Sequence, residues 1–300
     1  MNKSACLIVV LGWGFLLSGV VTADKLDFEP VPEFVKLPEA VSLDACSGIA
    51  VNSAGEVYLL HRGTDPVIVL DPQGRFLRSW GGGQIGKPHA LRIDRDDHVW
   101  ITDIGNHQVL KFNGTGKLIL ALGKSGQAGE GQDEFNKPTD VAFGSRGEIY
   151  VSDGYGNNRI VKLTPNGGFL SQWGTAGDGP GMFNVPHAIV VNRQGQIVVG
   201  DRENDRVQVF DEVGKLLHIW PGFAPFGLTY DRHGNLFVAD GRANKVLQLN
   251  DRGKIIGSWG GEGAEPGQFQ LPHMLASDAE GNLLVGEIRG KRFQKLKRQP

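Results

Sequence analysis

Residues 88–112 read PHALRIDRDDHVWITDIGNHQVLKF, and this pattern returns along most of the chain. It contains an apolar segment, a turn, a second apolar segment that ends in aspartate, a polar turn, and a third apolar segment. β-Branched and aromatic residues alternate within each segment, which is typical of β-strands, whereas no window has a helical period. Copies of the pattern begin at Cys46, Pro88, Pro138, Pro186, Pro225 and Pro272.

The copies start 42, 50, 48, 39 and 47 residues apart, which is the size of a four-stranded blade in a β-propeller. A fourth apolar segment follows the third in five copies, at residues 76–80, 118–122, 169–173, 216–220 and 255–259. The sequence therefore predicts an all-β protein, a six-bladed β-propeller that occupies residues 24–300.

The sixth copy ends after its third segment, residues 293–296, which would leave an exposed sheet edge. A segment with strand character, Glu33-Phe34-Val35-Lys36-Leu37, precedes the first copy. We predict that this N-terminal segment supplies the missing outer strand and closes the ring.

Residues 1–23 have the composition of a signal peptide. Lys3 is followed by an apolar run over residues 6–21, and Val21-Thr22-Ala23 offers the small residues that a signal peptidase accepts. The alternative is an uncleaved membrane anchor, because the run is close to the length that spans a bilayer. We expect cleavage, a secreted or periplasmic protein, and no membrane association afterwards.

The charge of the chain is nearly balanced, with a formal net charge of −2 at pH 7. Such a balance gives no electrostatic reason to expect nucleic acid as a partner.

Cys46 is the single cysteine beyond residue 23, so an internal disulfide is excluded. We expect a monomer.

Histidine occupies the second position of alternate copies. The residues at this position are Ser47, His89, Thr139, His187, Phe226 and His273. Equivalent positions on alternate blades of a six-fold ring lie about 120° apart, and this position opens the innermost strand beside the central channel. Three histidines are the ligand set of a catalytic zinc site. The alternative is three polar residues satisfied at strand starts, but their alternation favours a metal site.

Arginine and tyrosine occur in the turns that follow the second segment. Arg62 and Arg202 stand at equivalent positions of the first and fourth copies, and the longer turn of the third copy carries Tyr155. Two arginines suit a carboxylate, and a tyrosine beside cations can act as a base. The alternative is two exposed arginines and a packing tyrosine. His61 and His107 lie in turns near the same face, and the pattern gives neither a role.

The whole of residues 24–300 resembles NHL-type propellers, and in particular the peptidyl-α-hydroxyglycine α-amidating lyase family. The strings that carry the resemblance are His61-Arg62-Gly63, Pro138-Thr139-Asp140-Val141, Val151-Ser152-Asp153-Gly154-Tyr155, Pro186-His187, Asp201-Arg202-Glu203-Asn204 and Leu271-Pro272-His273. The resemblance implies zinc ligands at His89, His187 and His273. It also implies a catalytic tyrosine at Tyr155 and substrate-contacting arginines at Arg62 and Arg202.

The reaction implied by this family is cleavage of a C-terminal α-hydroxyglycine to a peptide amide and glyoxylate. The substrate is then a peptide or small molecule with a C-terminal carboxylate. The family also binds a structural calcium ion, whose ligands would be the backbone carbonyls of Ile49 and Leu91 and an aspartate that is Met274 here. A thioether is a poor ligand for a hard cation, so we expect calcium to be absent or weakly held.

Two other functions remain open from the sequence. One is a non-catalytic NHL propeller that binds a peptide, a glycan or a protein on its channel face. The other is a metal-dependent hydrolase of the lactonase type, which would use the same histidines to activate water. Fold alone does not choose among these functions.

Overall fold

Six mainly antiparallel β-sheets follow one another along the chain, and the computed structural model describes them over residues 24–299. Residues 1–23, with the predicted signal peptide, and Pro300 lie outside the described residues. The sheets form the six blades of a β-propeller, as the spacing of the copies predicts.

Each blade is built from consecutive strands, ordered from the channel outward. Two short strands, β1 (Asp24–Lys25) and β2 (Phe28–Val31), precede the first blade. Blade one contains β3 (Cys46–Val51), β4 (Val57–His61), β5 (Val67–Leu70) and β6 (Phe76–Trp80). Blade two contains β7 (Pro88–Ile93), β8 (Val99–Asp103), β9 (Gln108–Phe112) and β10 (Leu118–Leu122). Blade three contains β11 (Asp140–Phe143), β12 (Ile149–Asp153), β13 (Arg159–Leu163) and β14 (Phe169–Trp173).

The second half of the ring repeats this order. Blade four contains β15 (Pro186–Val191), β16 (Ile197–Asp201), β17 (Arg206–Phe210) and β18 (Leu216–Pro221), with a 3₁₀ turn at Arg202–Asn204. Blade five contains β19 (Pro225–Tyr230), β20 (Leu236–Asp240), β21 (Lys245–Leu249) and β22 (Ile255–Gly260). Blade six contains β23 (Pro272–Ser277), β24 (Leu283–Glu287) and β25 (Arg292–Arg298). The innermost strand of each blade contacts that of the next, and β23 contacts β3.

Tryptophans at the ends of the outer strands pack one blade against the next. The ring of Trp80 lies over Gly116 in the outer turn of blade two, where a Cβ atom would come within 2.7 Å of it. Trp173 lies over Gly214 in the same way, so these positions admit only glycine. The tryptophans therefore pack one blade against the next.

The aspartates that end the second strands stabilise turns. Asp103 accepts hydrogen bonds from the backbone N–H groups of Gly86 and Lys87, at 2.6 and 2.8 Å. Asp201 likewise accepts one from Asn184 N at 2.7 Å. These bonds tie the start of a blade to its second hairpin and so fix the loops at the channel mouth.

The strand that closes the ring is β2 rather than the predicted segment Glu33–Leu37, and that part of the prediction is wrong. β2 pairs antiparallel with β25 in blade six, where the Phe28 ring packs edge-on against Phe237 at 6.1 Å. The predicted segment passes beneath blade one, where Lys36 forms an isolated parallel bridge with Arg75. Both segments bury a phenylalanine, Phe28 and Phe34, so burial alone does not distinguish them.

Residues 24–299 contain no helix with the length and hydrophobicity of a membrane span.

Candidate metal and substrate site

The three histidines of the alternate blades meet at one mouth of the channel. His89, His187 and His273 each follow the proline that opens an innermost strand, and each is buried. Their ring centroids form an almost equilateral triangle with sides of 4.7, 4.9 and 4.8 Å. One ligand atom from each histidine lies within 4.8 Å of the others. This group is able to hold a metal ion.

A backbone carbonyl of the next blade orients each of these imidazoles. The Nδ1 atom of His89 lies 2.6 Å from Thr139 O, and that of His187 lies 2.7 Å from Phe226 O. His273 Nδ1 makes the third such contact, 2.7 Å from Ser47 O. Since a carbonyl only accepts, every Nδ1 must donate its proton. Every Nε2 is therefore an unprotonated lone pair.

The donor geometry fits a small divalent cation. The Nε2 atoms of His89 and His187 lie 3.1 Å apart, and two lone pairs that face each other at this distance repel unless a cation or the proton of a donor lies between them. Two ligands at 2.0–2.1 Å from a tetrahedral zinc ion are about 3.3 Å apart. Three neutral imidazoles with carbonyl partners on Nδ1 form the arrangement that metal-binding histidines adopt.

Burial keeps these imidazoles neutral. It lowers the pKa of His273 to about 3, with a further contribution from the positive charges of Arg62 and Arg202. Burial also holds the pKa of His89 and of His187 well below the ordinary value. Protons therefore do not compete with a metal ion at neutral pH.

Tyr155 lies directly beside the histidines. Its hydroxyl oxygen is 3.1 Å from the Nε2 atoms of both His89 and His187. The turn that carries it is one residue longer than that of blade two, since Asp153 pairs with Arg159. Gly154 makes this path possible, because a Cβ atom there would lie 2.1 Å from a backbone oxygen of blade four.

Arg202 contacts Tyr155 from the neighbouring blade. Its Nη1 atom donates to the Tyr155 hydroxyl at 3.3 Å, and its Nε atom pairs with Glu203 at 2.7 Å. The guanidinium also lies over the Phe226 ring, 4.8 Å from the centroid. Arg202 is held on three sides, and its charge is partly compensated by a carboxylate.

Arg62 occupies the equivalent position of blade one without such compensation. Its Nε atom is buried and has no hydrogen-bond partner within residues 24–299. Burial is the main cause of the low pKa of His89 and His273, and the positive charge of Arg62 contributes to both. A cation without a carboxylate partner is able to bind an anion.

The residues expected to concern calcium do not fit that ion. Ile49 and Leu91 are buried in innermost strands, and the Met274 side chain is buried in the innermost strand of blade six. The Met274 sulfur lies 3.9 Å from Arg92 Nη2. A dication beside Met274 would meet a thioether and a guanidinium, and the Asp140 carboxylate is already paired with that guanidinium.

Arg92 itself joins several blades across the channel. It pairs with Asp140 through two hydrogen bonds of 2.9 and 2.6 Å, and it donates to Leu228 O at 3.1 Å. Asp140 is fully buried and also accepts from Ile189 N at 3.0 Å. Strands of blades two, three, four and five thus share one buried ion pair.

A second group of potential ligands, Asp94, Asp96 and His98, lies at the other end of the innermost strand of blade two. Asp94 is already bonded to Trp100 Nε1 at 2.8 Å and to Lys111 at 3.1 Å. Asp94 and Asp96 line a cavity of about 970 Å³ that does not include the three histidines. The side chains of this group stabilise the turn, and the group is separate from the histidine site.

The structure brings the three histidines, Tyr155 and Arg202 into contact and places Arg62 in the equivalent turn of blade one, while some of their partners have no signal in the sequence. The orienting carbonyls are backbone atoms, which residue types do not reveal. Phe226 and Glu203 have a weak signal, since Phe226 stands in the same row as the histidines and Glu203 follows Arg202.

A family model described as NHL repeat matches residues 86–112, 135–163 and 183–210, which lie in blades two, three and four. The chain is therefore an NHL-repeat β-propeller. In sequence it resembles, in particular, the peptidyl-α-hydroxyglycine α-amidating lyases.

Three relatives illustrate this resemblance. Peptidyl-glycine alpha-amidating monooxygenase of Mus musculus is 33% identical over 222 residues, which cover 61% of this chain and 23% of the mouse protein. The monooxygenase B of Xenopus laevis is 34% identical over 248 residues, which cover 77% of this chain and 28% of that protein. A probable peptidyl-alpha-hydroxyglycine alpha-amidating lyase of Caenorhabditis elegans is 35% identical over 150 residues, or 42% of this chain and 43% of the nematode protein. The chain thus matches less than half the length of each.

Solved structures share the fold. A streptogramin B lyase superposes with a TM-score of 0.66 at 18% identity, over 91% of this chain and 97% of the other. A gluconolactonase from Xanthomonas campestris gives a TM-score of 0.69 at 13% identity, over 93% and 98% of the two chains. At these identities the likeness concerns the propeller and not the reaction.

Proposed function

We propose that the protein is a zinc-dependent lyase that cleaves a C-terminal α-hydroxyglycine to a peptide amide and glyoxylate. The observation that carries the proposal is the position of the Tyr155 hydroxyl, 3.1 Å from two histidine Nε2 atoms and 3.3 Å from Arg202 Nη1. A potential base, a metal-ligand set and a cation for the substrate carboxylate are thereby adjacent. The resemblance to named amidating lyases supports the same reaction.

The metal would be held by His89, His187 and His273, and zinc is the ion that we propose. When bound, zinc supplies a Lewis acid that makes the substrate hydroxyl a stronger acid.

The side chains of the protein carry out the remaining steps. Tyr155 accepts the hydroxyl proton, a carbonyl forms at Cα, and the bond from Cα to the amide nitrogen breaks. The electron pair of that bond stays on the nitrogen, which takes up the proton that Tyr155 accepted, so that the amide forms and Tyr155 returns to its starting state. Arg62 and Arg202 hold the carboxylate that leaves with glyoxylate. Atoms and charge balance without a further reactant.

A hydrolase of the lactonase type is less well supported by the site. Glu203 is the acidic side chain bonded to a site residue, and it is paired with both Arg202 and Arg242. A carboxylate held in this way is a poor general base for water. A binding module without activity gives no reason for a tyrosine between two metal ligands.

The substrate class follows from the same residues. We propose a peptide or small N-acyl compound with a C-terminal carboxylate, which Arg62 is free to bind. We further propose that the protein is exported after cleavage of residues 1–23 and acts as a monomer.

The test is release of glyoxylate from an N-acyl-α-hydroxyglycine by purified, zinc-loaded protein, with the amide product measured in parallel. We expect equal amounts of both products and loss of activity after chelation. The proposal is wrong if zinc-loaded protein releases no glyoxylate above the spontaneous rate. Turnover of lactones in the same preparation would favour the hydrolase.

A further inference from the structure

His61 differs from the residues at the equivalent position of the other blades. This position ends the second strand and stands opposite the start of the innermost strand, as Cys46 pairs with His61 and Pro186 with Asp201. The residues in this row are His61, Asp103, Asp153, Asp201, Asp240 and Glu287. Blade one alone has a side chain that need not carry a negative charge.

The imidazole makes the same contacts that the acids make elsewhere. His61 Nδ1 accepts from Asp44 N and from Gly63 N, both at 3.2 Å. Asp103 accepts in the same way from the segment before its blade and from its own turn, through Lys87 N and Gly105 N at 2.8 and 2.9 Å. His61 thus replaces an acid as the acceptor that fixes the turn.

The second ring nitrogen closes the turn around Arg62. Nε2 donates to Asp65 O at 3.0 Å, because Nδ1 already accepts twice and the proton must be on Nε2. The ring is buried and packs against Gly63, where a Cβ atom would lie 2.4 Å from Cε1. Burial lowers the pKa of His61, so that the ring is neutral.

A neutral acceptor has a consequence for the next residue. Arg62 follows His61 directly, and its buried Nε atom has no partner within the described chain. Arg202, the equivalent residue of blade four, is instead paired with Glu203 at 2.7 Å. The acids of blades three, four and six pair with an arginine across the hairpin, and Asp201 pairs in this way with Arg206 rather than with Arg202. Blade one has Pro66 at that position, opposite His61. A carboxylate at position 61 would therefore lack this arginine and compete for the charge of Arg62.

We propose that His61 is a positioning residue, a neutral acceptor that fixes the turn His61–Asp65 while it leaves the Arg62 guanidinium unpaired for the substrate carboxylate. This inference rests on the proposed function, since it takes Arg62 as the carboxylate-binding group. It assigns a role to a residue for which the repeat pattern gives none.

The test compares two substitutions that both keep an acceptor for the turn. His61→Asn keeps it neutral, whereas His61→Asp introduces the residue type that four other blades already accept. We expect His61→Asn to leave KM within about threefold, and His61→Asp to raise KM by about tenfold or more. The kcat, zinc content and Tm of His61→Asp should stay close to wild type.

The double variant with Arg62→Ala separates this role from a merely structural one. In the Arg62→Ala background, His61→Asp should raise KM no further, because the charge that it neutralises is gone. An unchanged KM in His61→Asp, or the same rise in both backgrounds, overturns the inference.

Binding of an unreactive N-acylglycine, measured by calorimetry, distinguishes failure of the inference from failure of the proposed function. Protein that binds this ligand through Arg62 but releases no glyoxylate contradicts the lyase reaction. The role of His61 is then tested by comparing the affinity of wild type and His61→Asp for the N-acylglycine. Protein that turns over but shows no effect of His61→Asp contradicts the inference alone. Absence of both turnover and binding contradicts both.

Discussion

The Nε2 atoms of His89 and His187 lie 3.1 Å apart, and the carbonyl partners on their Nδ1 atoms leave both without a proton. No hydrogen bond can form between two lone pairs. The arrangement is stable only if another group, a cation or the Tyr155 hydroxyl, supplies positive charge between the rings. The metal content of the purified protein is therefore the first property to measure.

We expect about one zinc ion per purified chain, measured by elemental analysis. His187→Ala should lose it, while His218→Ala, in an exposed outer strand, should keep it. Chelation should lower the Tm of the wild type, since an ion at 100 times its Kd stabilises the folded state by about 2.7 kcal/mol. Equal zinc content in wild type and His187→Ala would contradict the site.

Tyr155→Phe should lower kcat by about 100-fold or more, because a general base contributes 10²–10⁴-fold. The phenyl ring keeps its edge contacts with His89 and His187, whose centroids are 5.2 and 5.7 Å away. Zinc content and Tm should therefore be unchanged and serve as the controls. Wild-type kcat in this variant would remove Tyr155 from the mechanism.

Arg62→Ala should raise KM by about 10- to 100-fold, the value of a charged hydrogen bond to the carboxylate. Its Tm should not fall, because the buried Nε atom of Arg62 has no hydrogen bond to lose. Arg202→Ala should lower kcat as well, since Arg202 Nη1 donates to Tyr155. Steady-state kinetics give KM and kcat for both variants. Equal changes in KM and in kcat in the two variants would contradict this difference between the arginines.

Arg92→Met should destabilise the protein by about 3–5 kcal/mol, because it leaves the buried Asp140 carboxylate without its cation. Adding Asp140→Asn should recover part of that loss. Urea unfolding measures the stability of both variants.

Added calcium should not raise the Tm of the wild type, and a calcium-dependent rise would show that the channel binds the ion after all.

Stability should depend on pH through His61. Burial lowers its folded pKa below the unfolded value of about 6.5, so the unfolded chain binds the proton more tightly. Stability from the neutral ring is therefore present above pH 6.5 and is lost as the pH falls. The hydrogen bond to Asp65 O and the negative charges of Asp44 and Asp65 raise the pKa of His61, but they offset only part of the effect of burial.

The measurement is the difference in unfolding free energy between wild type and His61→Asn from pH 7.5 to 5. The asparagine variant should lose less stability on acidification, because it has no proton to bind at this position. Parallel curves for the two proteins would contradict this prediction.

The repeat pattern predicts the blades because spacing, strand alternation and glycine turns recur in every copy. The convergence of His89, His187 and His273 is predictable for the same reason, since a six-fold ring turns a sequence alternation into a triangle. The closing strand is not, because residues 28–31 and 33–37 both look like strands. The two segments differ only in three dimensions, where residues 28–31 pair with β25.

The contacts around the site also lie beyond the sequence. The carbonyls of Ser47, Thr139 and Phe226 orient the imidazoles through backbone atoms that every residue possesses. The pairing of Arg92 with Asp140 joins residues 48 positions apart on different blades. Such partners follow from the closed ring and not from any local motif.

The hydrogen bond from His273 to Ser47 O joins the last blade to the first, residues that are 226 positions apart in the chain. An ion held by His273, His89 and His187 would therefore connect the last blade to blades two and four. We call the junction between the last blade and the first, where His273 meets Ser47, the seam of the ring. The ion acts as a removable cross-link between the beginning and the end of the domain. We expect loading with metal to suppress opening at that seam, and loosening of the seam to weaken metal retention to the same thermodynamic extent.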